Sequence, residues 1–162
     1  MTSVGPGRPF PEPELDELYR ELILDHYRHP HNKGKLAKAT HAEGYNPLCG
    51  DEIELDVAIL GDTIEDVAFA GRGCSISQAS ASMMTDAVKG GSVDDAARLV
   101  ESFRRMMTDA ESEPDEELGD LEAFQGVAKF PVRVKCATLA WRVLEDALSG
   151  GPAALEVKGD ER

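Results

Sequence analysis

Ile53, Leu55, Val57 and Ile59 alternate with Glu52, Glu54, Asp56 and Ala58, and after Gly61-Asp62 an apolar pattern resumes at Ile64, Val67 and Phe69. Period two around a glycine-containing turn is the pattern of a β-hairpin with one buried face. A hairpin brings the end of its second strand back to the start of its first. Whatever precedes the first strand therefore meets whatever follows the second, and here these are Cys49-Gly50-Asp51 and Gly71-Arg72-Gly73-Cys74. Two thiols and a carboxylate are thus expected at one end of a small sheet.

Around the hairpin the chain reads mostly as helix. Residues 1–13, with two glycines and four prolines, read as a mobile leader. From Glu14, the residues Leu15, Leu18, Tyr19, Leu22, Ile23 and Tyr27 fall at helical spacing up to Pro30. A loop with a short strand near Thr40 to Tyr45 leads into the hairpin. Cys74 opens a helix through Val88 that Gly90-Gly91 closes, and Ser92 with Asp95 caps the next, which carries Val93, Ala96, Ala97, Val100, Phe103 and Met107.

Residues 108–120 hold seven acidic side chains with Pro114 and Gly119, and read as an exposed insert. Pro131 starts a final helix bearing Val132, Cys136, Leu139, Val143, Ala147 and Leu148. Residues 150–162 read as a flexible tail, so residues 14–149 form one domain.

Cys49, Cys74 and Cys136 are the only cysteines among the 162 residues. With Asp51 they supply four ligands that lose a proton on binding a divalent cation, the inventory of a four-coordinate metal site. The alternative is three buried structural thiols, since free cysteine is among the most buried residue types. The odd count argues against a disulfide framework. Met83-Met84 and Met106-Met107 read as core filler, and His26 and His29 as helix-end residues that shape contact with a partner.

A formal charge of −14, from 17 basic and 31 acidic residues, argues against nucleic-acid or anionic-membrane binding. The absence of a long apolar run and of a signal-like start points to a cytoplasmic protein.

Longer segments carry a family resemblance. Leu18-Tyr19, Asp25-His26-Tyr27, His29-Pro30, Asn32 and Gly34 resemble the opening of the IscU, SufU and NifU N-terminal-domain family. So do Asn46-Pro47-Leu48-Cys49-Gly50-Asp51, Gly71-Arg72-Gly73-Cys74-Ser75-Ile76-Ser77 and the run from Pro131 to Trp141. The resemblance implies an α+β fold, with a small three-stranded, mostly antiparallel sheet and helices packed on one face. It also implies metal ligation by Cys49, Asp51, Cys74 and Cys136.

Two departures point to the SufU-type branch. Lys135 stands where IscU-type scaffolds carry histidine, and the acidic stretch resembles the SufU insert. Lys129-Phe130-Pro131-Val132-Arg133 also replaces a Leu-Pro-Pro-Val-Lys chaperone-recognition sequence.

A SufU-like protein implies a zinc-dependent sulfurtransferase. It would take persulfide sulfur from a pyridoxal-phosphate cysteine desulfurase of the SufS type for iron-sulfur cluster assembly, with downstream scaffold proteins as further partners. On that resemblance Cys49 is the sulfur acceptor and ligand exchange is its switch. Arg133 and Lys135 stabilise the negative site or dock the desulfurase. The alternative is a scaffold on which the same thiolates bind iron as a [2Fe-2S] cluster.

Overall fold

The computed structural model describes residues 11–109 and 113–149, with side chains described from residue 17 onward. The expected tail, and residues 1–10 of the expected leader, lie outside these. Helix α1 runs Pro11–Arg28, three residues earlier than its apolar periodicity indicates. Prolines within the first turn are compatible with this, because first-turn amides have no intrahelical acceptor to lose.

Three strands follow, β1 Thr40–Asn46, β2 Asp51–Leu60 and β3 Thr63–Arg72, in an antiparallel sheet of order β1-β2-β3. The alternation read from sequence holds at Ile53, Leu55 and Val57, which are fully buried, and at half-buried Glu52 and Glu54; Asp56 is buried instead of outward, and a register shift between Ala58 and Ile59 leaves Ile59 exposed. A single parallel bridge, Lys33 to Phe69, lays the loop after α1 along β3, with Gly34 N–H donating to Phe69 O and Phe69 N–H to Asn32 O.

Helix α2 (Ser75–Val88) packs on β3 and helix α4 (Pro131–Ser149) on β1 and β2; α1 packs against α2. Helix α3 (Val93–Thr108) has the cap read from sequence, with Ser92 Oγ accepting from Asp95 N–H at 2.9 Å, and it packs on α4. The core joins α2, α3 and α4. Phe103 stacks on Trp141 at 4.5 Å and meets Phe124 edge-on, and Trp141 Nε1–H donates to Ser80 Oγ. All four methionines of the two pairs are buried there, as core filler should be.

The acidic stretch is only partly the exposed insert its composition suggests. From Glu116 to Lys129 the chain forms 3₁₀-type turns with a kink at Gly119 (φ 54°, ψ −127°). Asp115 accepts from Ser102 Oγ at 2.6 Å and from Arg105 at 2.5 Å, and Leu118 and Leu121 are buried against the helices. Its charges hide an apolar pair spaced for burial. Among the described residues no helix is long and apolar enough to cross a membrane.

On the polar face of the sheet His41 donates from both ring nitrogens when protonated, to Asp56 Oδ1 at 2.7 Å and to Glu43 Oε2 at 2.9 Å. The Asp56 bond, then the Glu43 bond, holds the imidazole above its ordinary 6.5. Burial works against the Asp56 charge, but the His41 and Leu36 hydrogen bonds outweigh it and bring the carboxyl below 3.8.

A raised His41 value contributes stability that is complete below pH 6.5 and is lost as pH rises through the folded value; the lowered Asp56 value contributes above pH 3.8 and is lost as pH falls through its folded value. The pair therefore stabilises most in mildly acidic solution. Asp56→Asn is expected to lower the urea midpoint more at about pH 5 than at about pH 9, which denaturation at the two pH values checks.

Candidate metal centre

Strand register assembles the first part of the site. Glu52 pairs with Arg72 and Asn46 with Asp51, so the start of β2 meets both the end of β3 and the end of β1. Asp51 is fully buried there, and its Oδ1 accepts from the backbone N–H of Cys74 at 3.0 Å. Gly73 makes that approach possible: its φ is +151°, and a Cβ would lie 2.3 Å from Asp51 Oδ1 and 2.7 Å from Ser77 Oγ. Cys74 caps α2 with extended backbone (φ −72°, ψ 168°).

Helix α4 delivers the third thiol. It crosses β1 over Gly44, where a Cβ would stand 2.5 Å from Val143 and 3.1 Å from Leu139. One turn before Leu139, Cys136 reaches the Asn46 and Asp51 end of the sheet and is fully buried. Its Sγ lies 3.1 Å from Cys49 Sγ, far longer than the ~2.05 Å of a disulfide bond. All three cysteines are free.

Burial, then hydrogen bonds with Cys49 and Asp51, pushes the Cys136 thiol well up from its ordinary value. Without a cation this position disfavours a thiolate; with one it becomes a strong ligand.

Cys49, Asp51 and Cys136 offer ligand atoms all within 4.8 Å of one another. Cys74 stands outside that triplet as its side chain is turned, although its backbone is bonded to Asp51. Asp51 makes no ion pair among the described residues; besides the Cys74 N–H it meets the Cys136 thiol and, at a long 3.4 Å, Asn46 Nδ2. A fully buried carboxylate set among thiols is a donor arrangement that a divalent metal would satisfy. Three thiols and one carboxylate fit zinc, and they also fit the thiolate preference of iron-sulfur clusters.

Arg133, exposed on the first turn of α4, is held above its ordinary value by its bond with Cys136 and then by the charges of Cys74, Cys136 and Cys49. Lys135 is also exposed, and no hydrogen bond or ion pair ties it to a ligand among the described residues.

Residues 18–148 match the family model for the NifU-like N terminal domain. This chain belongs to that family. Within it, the chain is 50% identical over 135 residues to the zinc-dependent sulfurtransferase SufU of Bacillus subtilis, covering 83% of this chain and 92% of that one. It is 47% identical to the iron-sulfur cluster assembly scaffold protein IscU of Streptococcus pyogenes, covering 83% and 85%. A crystal structure from Fervidobacterium islandicum, of a candidate scaffold protein for the SUF system, superposes with a TM-score of 0.74 at 39% identity, covering 79% of this chain and 94% of that one. The α+β architecture of the NifU-like domain is thus the one the sequence implied.

What sequence reasoning missed at this NifU-like site is Asn46. Its Nδ2 points at both Asp51 Oδ2 and Cys136 Sγ (3.9 Å), and its Oδ1 accepts from Leu48 N–H at 3.2 Å. It therefore ties the Cys49 turn to two candidate ligands. Asparagine before proline reads as ordinary turn chemistry, so only the register reveals the second use.

Gly73→Ala is expected to cost about 1–3 kcal/mol in strain and to displace Asp51. Its checks are a lower melting temperature and a bound-metal content well below that of the unaltered protein.

Proposed function

We propose that this protein is a zinc-dependent sulfurtransferase that accepts persulfide sulfur from a cysteine desulfurase, for use in iron-sulfur cluster assembly. The observation that carries this reading is the contrast within the ligand set. Asp51 and Cys136 are buried and Cys74 is pinned at a helix cap. Cys49 is half-exposed on a turn closed by Gly50 N–H to Asn46 O, between exposed Leu48 and Gly50. Cys49 and Cys74 are both partly buried, but the Cys74 backbone is bonded to Asp51 at the helix cap, whereas Cys49 is carried by a surface turn. The similarity to the Bacillus subtilis zinc-dependent sulfurtransferase supports the same reading.

Cys49, Asp51, Cys74 and Cys136 would hold zinc, with Cys74 turning inward about its own side-chain torsion. Zinc supplies redox-inert stabilisation of thiolates at neutral pH. The Cys49 thiolate attacks the outer sulfur of the desulfurase persulfide, a new S–S bond forms at Cys49, the old one breaks, and the desulfurase cysteine leaves as thiolate. No electrons are gained or lost overall, and sulfur passes between two cysteines.

The surroundings suit a protein partner. Leu48 (64% exposed), Phe130 (59%) and Val132 (57%) lie on the Cys49 turn and at the start of α4. An apolar rim of this kind is the usual mark of a docking surface. A pyridoxal-phosphate desulfurase of the SufS type is the partner proposed, and Arg133 beside Cys136 would neutralise the negative site as the two proteins meet.

Cys49→Ala is expected to reduce desulfurase stimulation to the rate of the desulfurase alone, measured as sulfide or alanine release. Asp51→Ala is expected to weaken zinc by at least about tenfold, read by competition with a chelator. A stable coloured cluster passed to an apo-acceptor by the unaltered protein would support the scaffold reading instead. Stimulation that survives Cys49→Ala would overturn the acceptor assignment.

A further inference from the structure

About 18 Å along α2 from Cys74, by the helical rise of its residues, lies a second group of metal-ligating side chains that the sulfur-transfer reading does not use. His26 on α1, His31 in the following loop and Asp86 on α2 offer ligand atoms all within 4.8 Å of one another. Two atoms bound to one cation at about 2.1 Å each lie no more than about 4.2 Å apart, so small side-chain rotations would close the set. The two imidazole rings are 4.4 Å apart at 46°.

The cluster is held from several directions. Ser82 Oγ is hydrogen-bonded to His26 Nδ1 at 2.7 Å and accepts from the backbone N–H of His31 at 2.8 Å. Ser82 thereby holds the His26 ring through Nδ1, and Nε2 makes no hydrogen bond among the described residues. Asp86 shares a 2.5 Å hydrogen bond with His31 Nδ1 through Oδ2, and its Oδ1 accepts from Asn32 Nδ2 at 3.0 Å.

Asn32 also donates to Thr85 and takes a left-handed backbone (φ 58°) that turns His31 back towards α2. His26 is buried, whereas the His31 and Asp86 side chains are about half-exposed at 48% and 45%, so one ligand forms the floor and two form an open mouth. His29 does not take part: it is exposed and bonds Asp25 on its own helix.

We propose that His26, His31 and Asp86 form a second site for a divalent transition metal, which fastens the end of α1 to α2. Two imidazoles and one carboxylate select zinc, cobalt or nickel over magnesium or calcium, which prefer all-oxygen sites. Ser82 acts as the positioning residue that orients His26, the usual part played by a hydrogen-bond partner behind a ligating histidine.

The test starts from the full chain carrying one equivalent of zinc and titrates further zinc, following bound metal by calorimetry and imidazole nitrogens by NMR. A second equivalent is expected to bind with shifts at His26 and His31. His31→Gln should abolish that second equivalent while keeping the first and leaving desulfurase stimulation unchanged. Ser82→Ala should weaken the second equivalent about 10–100-fold. Magnesium should not replace it.

The proposal is overturned if no second equivalent binds at free zinc up to about 1 mM. It is equally overturned if the shifts appear at His41, whose own cluster with Glu43 and Glu54 is the competing site. The NMR arm reads the unaltered protein, so a variant that fails to fold does not blunt the test.

Discussion

The hydrogen bond from Cys74 N–H to Asp51 Oδ1 is the constraint on which the rest of the site depends. It joins the first residue of β2 to the cap of α2, and so couples the sheet's register to the direction in which a helix leaves it. Gly73 exists to let those backbones meet, since any side chain would occupy the place of the Asp51 carboxyl. Once this corner is closed, only α4 remains to be placed, and Gly44 sets how closely it can cross β1. Two close backbone approaches, each at a glycine, bring Cys49, Asp51 and Cys136 together with the Cys74 backbone beside them.

The same arrangement divides the candidate ligands by mobility. Buried Asp51 and Cys136 lie among groups that cannot move without disturbing the core, whereas Cys49 sits on a turn anchored mainly through Asn46. A sulfur acceptor needs such an asymmetry, because its nucleophile must meet a partner's persulfide while the metal stays in place. A purely structural zinc site would gain nothing from a half-exposed thiol on a surface turn. Apolar Leu48, Phe130 and Val132 around that thiol are also difficult to explain in a protein that meets no partner there.

Much of this was legible in the sequence where the signal is local. The period-two alternation of Ile53, Leu55 and Val57 became β2, Ser92 became a cap, and Gly90-Gly91 follows the Lys89 cap of α2. The convergence of Cys49-Gly50-Asp51 with Cys74 followed from hairpin topology. Cys136 was different: helical periodicity gives its face but not the crossing of α4 over Gly44, so only the family resemblance supplied it. Residues whose role is set by long-range contacts stayed hidden. Asn46 is read as turn chemistry, Leu118 and Leu121 are masked by the acids around them, and His26 finds His31 and Asp86 only once α1 lies on α2. The start of α1 was misplaced because prolines that would break a helix interior are tolerated in its first turn.

The central claim is that sulfur lands on Cys49. Its most direct test is mass-spectrometric mapping after the zinc-loaded protein is incubated with a cysteine desulfurase and its cysteine substrate, with free persulfides trapped by alkylation. The account predicts one added sulfur, found on the peptide carrying Cys49 and absent from those carrying Cys74 and Cys136. Added sulfur on Cys74 or Cys136 with Cys49 unmodified, or none on any of the three while the desulfurase is still stimulated, would contradict it.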